Sequence, residues 1–516
     1  MFAGATIDLL VVGGGINGAG IARDAAGRGL SVLVCDQDDL AARTSSASTG
    51  LIHGGLRYLE RFELGLVRKA LHEREVLLRA APHIVRPLRF VLPHDPRLRS
   101  AWLIRAGLFL YDRLGRRERL AGSRGIDLRR SALGAPLRPE FRTGFVYSDA
   151  RVDDARLVVL NALDAAERGA TVLPRTRLVS AERRADHWQA TLQAAEPAPG
   201  AVRRVHARVL VNAAGPWAAR LLREALGIAP HHNLLMAKGS HIVVPRMFGH
   251  DHAYVLQHPD RRVGFAIPYE RDYTLVGTTD VAFDGDPARA AISSEETAYL
   301  CDMANRWFAR PISPVDVVWS YAGVRPLLEQ SAPDLSAVSR DYALELDAPA
   351  EGAPVLSVFG GKLTTYRRLA EEALDLLRPH LRGARPAWTA RATLPGGDMA
   401  DAGFDAFVAE LARRYPWLPR ELRERYARAY GTRVSRLLDG ARALADLGRD
   451  LGGGLYEAEV DYLVKYEWAR TPEDVLWRRS KLGLHAGPAA MERLAQSLPS
   501  LIRRQRPGDL SRTGPV

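Results

Sequence analysis

Ile7-Asp8-Leu9-Leu10-Val11-Val12 runs directly into Gly13-Gly14-Gly15-Ile16-Asn17-Gly18, and this junction decides the fold. The apolar run is short, rich in β-branched residues and bounded by glycine, which reads as a buried strand. Helix-forming residues follow to Arg28, Gly29 suits the helix end, and Ser31–Cys35 reads as a second strand. Gly13-x-Gly15-x-x-Gly18 therefore lies where a strand turns into a helix. Its glycines permit the tight turn, let the backbone approach a pyrophosphate and bring helix against strand. The phosphates would then meet the amides of the helix N-terminus. Asp36 ends the second strand, where a carboxylate would accept hydrogen bonds from ribose hydroxyls. An acid there favours a free 2′-hydroxyl, so NADP is set aside while FAD and NAD remain. A Gly-rich structural turn is the alternative, and the strand, helix and acid together weigh against it.

Around this opening, the 516 residues suffice for about three domains. Only Cys35 and Cys301 are cysteines, which excludes a disulfide scaffold. No Cys/His cluster has metal spacing, so no metal is expected. An excess of 72 basic over 60 acidic residues favours anionic partners. No uncharged run reaches the ~18 residues of a spanning helix, and no basic residue precedes Arg23 as it would in a signal peptide. A cytoplasmic protein is the expectation. Lysine is scarce beside arginine, and two of the five lysines, Lys238 and Lys362, stand next to glycines in motifs.

Further along, residues 86–130 read as basic and irregular, with one amphipathic segment around Trp102–Tyr111. From about 240 to 345 short strands such as His241–Pro245, Val263–Tyr269 and Tyr273–Gly277 suggest an antiparallel sheet. Val355–Phe359 reads as a buried strand closed by Gly360-Gly361, and the chain after Pro395 turns helical.

The hydroxyl-rich Thr44–Thr49 and the following Ile52-His53-Gly54-Gly55-Leu56-Arg57-Tyr58 choose between the cofactors. Here the chain resembles the aerobic glycerol-3-phosphate dehydrogenases, flavoproteins of the D-amino-acid-oxidase superfamily. The resemblance recurs in Tyr147–Asp149, Val152–Leu157, Val211–Trp217 and Lys238–Pro245, then in Gly277–Asp280, Gly323–Pro326 and Phe359–Arg367. It implies an α/β FAD-binding Rossmann-like domain with an inserted antiparallel-sheet substrate domain and a C-terminal helical domain. The FAD-binding domain is expected in segments 1–85, 151–228 and 346–390. Segment 86–150 forms a basic cap region, 229–345 the substrate-binding sheet and 391–516 the helical domain.

The implied reaction is oxidation of sn-glycerol 3-phosphate to dihydroxyacetone phosphate, with hydride passing from C2 to flavin N5 and electrons then to a membrane quinone. A glycerol-3-phosphate oxidase using O2, or an amino-acid or amine oxidase of the superfamily, is the alternative. For FAD the expected contacts are Gly13, Gly14, Gly15, Asn17, Gly18 and Asp36, then Ser45, Ser46 and Ser48 as hydroxyl donors. Leu51 and Ile52 would run beside the isoalloxazine, with Ala214, Gly215, Trp217, Gly323, Gly360, Gly361, Leu363 and Thr364 completing the site. Lys362, Arg325 and His53 are the expected catalytic residues, His241 being a weaker candidate base. Arg57, Tyr58, Arg340 and Thr278 are expected on the substrate, whose phosphate dianion suits the planar fork of arginine. In one place the chain departs from the pattern: Gly50 stands where related sequences usually carry lysine. A partner surface is expected at residues 86–130, which hold twelve arginines against Asp95, Asp112, Glu118 and Asp127. With Trp102-Leu103-Ile104 and Leu108-Phe109-Leu110-Tyr111 inside it, this stretch suits an in-plane element on an anionic membrane surface. A homodimer, peripheral on the cytoplasmic membrane face and without nucleic acid, completes the expectation.

Overall fold

The computed structural model describes residues 6–195, 200–232, 234–260, 262–328 and 341–504. Strand β1 (Thr6–Val12) buries Leu9, Leu10 and Val11 completely. Each such side chain contributes on the order of 1.5–3 kcal/mol relative to exposure, so the run settles in the middle of a sheet. It pairs in parallel with β2 (Val32–Cys35) on one side and with Val202–Asn212 on the other. Thr171–Leu173 lies outside β2, Val355–Phe359 lies beside Val202–Asn212, and Ala343–Asp347 closes that edge in the antiparallel sense. Helix α1 (Ile16–Gly27) packs against the helices Asp154–Glu167 and Tyr366–Leu377. A Cβ at Gly20 would come within 2.7 Å of the Tyr366 ring, which explains the small residues on this helix.

Thr176–Arg183 and Trp188–Ala194 extend the first sheet from Val202–Asn212, and a second sheet has ten strands. Val263–Tyr269 and Tyr273–Gly277 form as the sequence suggests, and Leu234–Pro245 extends the strand expected at His241–Pro245. The irregular reading of residues 86–130 is corrected. Val85–Pro93 and Arg124–Asp127 are strands, both paired with Thr143–Val152. Arg86, Pro87 and Arg89 mask the apolar alternation there, because exposed arginines occupy the outer positions. Ala253–Gln257 pairs in parallel with Val85–Pro93, so segments 86–150 and 229–345 contribute to one sheet. Leu51–Ile52 pairs with Thr143–Val152 and ties this sheet to the loop after β2.

From Phe404 to Arg504 the chain is helical around a core that includes Leu411, Tyr426, Tyr430, Leu463 and Leu494. Buried charge pairs join it to the rest. Arg156 forks onto Glu467, Arg479 onto Asp39, and Lys481 reaches Asp154 at 3.2 Å. Among the described residues, no helix is long and apolar enough to cross a membrane.

Candidate active site

A cavity of 630 Å³ begins at the end of β2, crosses the first turn and ends among His53, Tyr58, Arg325 and Lys362. Its floor is backbone. Gly13 has φ +119°, and a Cβ there would sit 2.3 Å from the Ala213 carbonyl oxygen. A Cβ on Gly18 would lie 1.9 Å from the Gly13 oxygen, so Gly18 packs behind the cavity while Gly13 and Gly15 line it. The Asp36 carboxylate accepts from the Gly14 amide at 2.5 Å and from the Asp38 amide at 2.8 Å. Burial pushes its pKa up to about 6 against those two hydrogen bonds.

Asn17 spans the cavity floor. Its Nδ2 donates to the Gly360 carbonyl at 3.0 Å, while its buried Oδ1 has no partner. Gly360 and Gly361 take φ values of +73° and +102°, the left-handed region that a side chain resists. A Cβ on Gly361 would press on Asn17 at 2.9 Å. The helix expected directly after these glycines starts at Tyr366, following a turn through Leu363 and Thr364. Ala214, Gly215 and Trp217 form the opposite wall with Leu51. Ile52 and Gly323 lie outside the lining; a Cβ on Gly323 would meet the Ala47 Cβ at 2.9 Å.

The serines divide. Ser45 Oγ accepts from the Ile16 amide at 3.0 Å, which leaves its own proton to donate. Ser48 Oγ donates to Asp154 Oδ2 at 2.7 Å and accepts from the Gly50 amide. Ser46 donates to the Arg43 carbonyl and lines a separate cleft. Of the three serines expected as hydroxyl donors, Ser45 lines the cavity with its proton uncommitted, Ser48 lines it with its proton on Asp154, and Ser46 does not line it. The residues present fit FAD: an acid at the ribose end, a turn too tight for any Cβ, a helix N-terminus, and an orphaned buried amide oxygen midway.

At the far end Lys362 Nζ stands 3.9 Å over the centre of the Tyr58 ring. Tyr58 folds back against Gly55, where a Cβ would meet the ring at 2.1 Å. Arg325 points Nη1 at Asp280 (3.3 Å) and Nη2 at Thr278 Oγ1 (3.4 Å). Gly239 makes room for it, since a Cβ there would lie 2.5 Å from Nη2. His53 lines the same end and its amide donates to Thr364 Oγ1. Burial, then the Lys362 and Arg74 charges, holds its pKa down at about 4, so the ring is neutral at pH 7.

His241 does not line the cavity. It stacks on Tyr321, shares a hydrogen bond with Thr49 Oγ1 at 2.9 Å, and burial lowers its pKa to about 3. Arg57 sits half-buried in the segment Leu56–Arg61 and is not among the lining residues. Arg340 lies outside the described residues. Lys238, on the strand Leu234–Pro245 of the second sheet, pairs with Glu296 at 2.8 Å. The sequence reading missed the support beneath His53-Gly54. There the Gly54 amide donates to Tyr111 Oη, Tyr111 donates to Asp149, and Arg74 pairs with Asp149 at 2.6 Å. The signal was present in Tyr147-Ser148-Asp149, a motif that had no assigned role. Among the described residues no cluster could hold a metal ion.

Residues 8–367 match the FAD dependent oxidoreductase family, and residues 387–502 match the C-terminal domain of alpha-glycerophosphate oxidase. The chain is 57% identical to a glycerol-3-phosphate dehydrogenase of Pseudomonas aeruginosa, over 96% of this chain and 95% of that protein. It is 50% identical to a D-erythritol 1-phosphate dehydrogenase of Brucella abortus, over 93% and 95%. Among solved structures it resembles the glycerol-3-phosphate dehydrogenase from Bacillus halodurans complexed with FAD. The TM-score is 0.77 at 27% identity, covering 99% of this chain and 94% of that one.

Proposed function

From the premise that the chain belongs to the FAD dependent oxidoreductase family, we propose that its glycerol-3-phosphate dehydrogenase activity converts sn-glycerol 3-phosphate to dihydroxyacetone phosphate and delivers the electrons to a membrane quinone. The observation that carries this reading is the grouping of Lys362, Arg325 and neutral His53 at one end of a dinucleotide-sized cavity. When bound, FAD supplies the two-electron acceptor for the C2–H bond.

The chain's own residues then have separate tasks. Arg325, steadied by Thr278 and Asp280, offers its fork to the phosphate dianion. Tyr58 holds the Lys362 ammonium in place through its ring face. Lys362 polarises the substrate hydroxyl, and the neutral His53 imidazole takes the hydroxyl proton. An arriving dianion offsets the cationic charges that keep the His53 pKa low, and so strengthens it as a base.

Access to a lipid-soluble acceptor calls for a membrane-facing surface. The helix Ala101–Leu114 turns Leu108 and Tyr111 inward and leaves Trp102, Leu103, Phe109 and Leu110 exposed beside Arg105 and Arg113. Phe62 and Leu64 add to the exposed apolar surface in segments that contact this helix. Flotation with anionic vesicles is expected at low salt, and Trp102→Ser with Phe109→Ser should abolish it; unchanged flotation would move the attachment surface elsewhere.

Anaerobic titration with glycerol 3-phosphate tests the reaction itself. The flavin should bleach at one equivalent, and a spectrum unmoved by the substrate would overturn the proposal. A longer polyol phosphate is a second reading, favoured by the Brucella relative. The same titration with D-erythritol 1-phosphate separates the two.

A further inference from the structure

A cleft of 1,560 Å³ lies between the second sheet and the C-terminal helices, walled off from the flavin cavity by the loop through Ser48–Gly50. Arg86, on the strand Val85–Pro93, and Arg428, on the helix Arg420–Tyr430, bring guanidinium groups to it from opposite walls. Among the described residues, neither guanidinium group makes a hydrogen bond or ion pair. Arg428 rests on the Phe404 ring at 3.5 Å.

The acids nearby are engaged or distant. Glu270 pairs with Arg151 and Glu424 with Arg420, while Asp251 is almost wholly in solvent. Asp405 faces Arg428 without pairing to it. Burial lowers the pKa of Arg86 to about 9 and of Arg428 to about 10, and Arg86 also feels the charges of Arg151 and Arg428. Arg86 keeps access to the water of the cleft although protein surrounds most of it. His83, 1% exposed, lines the same cleft with neither ring nitrogen hydrogen-bonded. Two unpaired guanidinium groups and a buried, unsatisfied imidazole thus share one space. A buried imidazole with neither nitrogen satisfied is costly, and an anion held between the two guanidinium groups would accept from it.

We propose that this cleft is a second anion site, which holds a phosphate group between Arg86 and Arg428 over His83. Cations on opposite walls call for oxygens facing both ways. A tetrahedral phosphate offers more of them than a planar carboxylate, and carries the larger charge for two cations.

Thermal melting of the FAD-loaded protein against inorganic phosphate, at constant ionic strength with chloride as control, tests this directly. A ligand that binds the folded state raises the melting temperature saturably. The parent should show that rise, Arg86→Gln/Arg428→Gln should lose more than half of it, and Arg325→Ala should keep most of it. Turnover of glycerol 3-phosphate by the double variant should stay near that of the parent. If the double variant does not accumulate in folded form, Arg86→Gln alone carries the test, because its side chain reaches solvent. A second arm uses flotation with phosphatidylglycerol vesicles against pure phosphatidylcholine. A rise with free phosphate identifies a soluble phosphate; no rise, with phosphatidylglycerol-dependent flotation lost in the double variant, identifies a lipid headgroup. A double variant that matches its parent in both arms overturns the proposal.

Discussion

The flavin cavity and the joint between the α/β part and the C-terminal helices are built from opposite materials. Around the cavity the chain uses backbone: Gly13, Gly15, Gly360 and Gly361 form most of the cradle. Polar groups there are left over for a ligand, as with Asn17 Oδ1 and the Lys362 ammonium. At the joint the chain uses paired charge. Arg156–Glu467, Arg479–Asp39, Arg175–Asp474 and Lys481–Asp154 meet within the protein and satisfy one another. Identical residue types therefore stand in different settings: Arg156 and Arg479 fork onto buried carboxylates, whereas Arg325 faces the cavity beside the less buried Asp280.

The sharpest way to break this contrast is to give the cradle a side chain. Gly18→Val places a Cβ 1.9 Å from a backbone oxygen that cannot move without moving the turn. Purified protein should lose FAD by at least about tenfold, read as the ratio of flavin to protein absorbance. Gly65→Ala, where a Cβ meets nothing within 4 Å, is the control and should retain its colour. Normal flavin content in Gly18→Val would mean that the cradle tolerates far more than its geometry suggests.

Next in size is the joint. Arg156→Met leaves Glu467 buried and unpaired, at a cost of about 3–5 kcal/mol. Arg156→Met/Glu467→Leu should recover most of that loss, as measured by denaturant unfolding. Equal losses in the single and double variants would show that packing, including the Arg156 contact with the Tyr430 ring, outweighs the charge.

Smaller again is the effect of cavity cations on chemistry. Lys362→Ala and Arg325→Ala should each cost about 2–4 kcal/mol in the transition state, tens- to several-hundred-fold in turnover, with flavin content preserved. Near-normal turnover in either variant would move that residue out of the mechanism.

How far the sequence foretold each region follows from the same contrast. The cradle was legible because its constraint is local: strand, glycines and helix are contiguous, and only glycine fits. Lys362 and Arg325 were singled out by their places in the runs Gly360–Thr364 and Gly323–Pro326, and both line the cavity. The joint was not, since its partners lie hundreds of residues apart and any of many arginines could have filled the role. Arg156 and Arg367 both occur in the recognised motifs, yet Arg367 forks onto Glu73 and Arg156 onto Glu467. The partner of Ser48 was not legible for the same reason, its proton going to the distant Asp154. Val85–Pro93 was missed because arginine and proline interrupt its apolar pattern.

The last and smallest effect compares the regions through histidine. His53 in the cavity has a pKa near 4, while His83 in the cleft and His241 behind the wall are held at about 3. Burial is the main cause for all three; Lys362 and Arg74 add to it at His53, Arg156 and Arg428 at His83, and Arg325 at His241. An unfolded histidine binds its proton near pH 6.5. Between that value and the folded pKa the unfolded state therefore holds more protons, and stability falls as the pH drops. The contribution is intact above about pH 6.5 and is lost at about 1.4 kcal/mol per pH unit per histidine down to pH 3–4. Asp36, raised to about 6, acts in the opposite sense between 3.8 and 6 and offsets one of the three. His53→Gln and His83→Gln should each flatten the acid limb of stability against pH by about that slope, whatever each does to stability at pH 7. An acid limb that His83→Gln leaves unchanged, while His53→Gln flattens it, would mean that the cleft, unlike the cavity, lets its histidine charge freely.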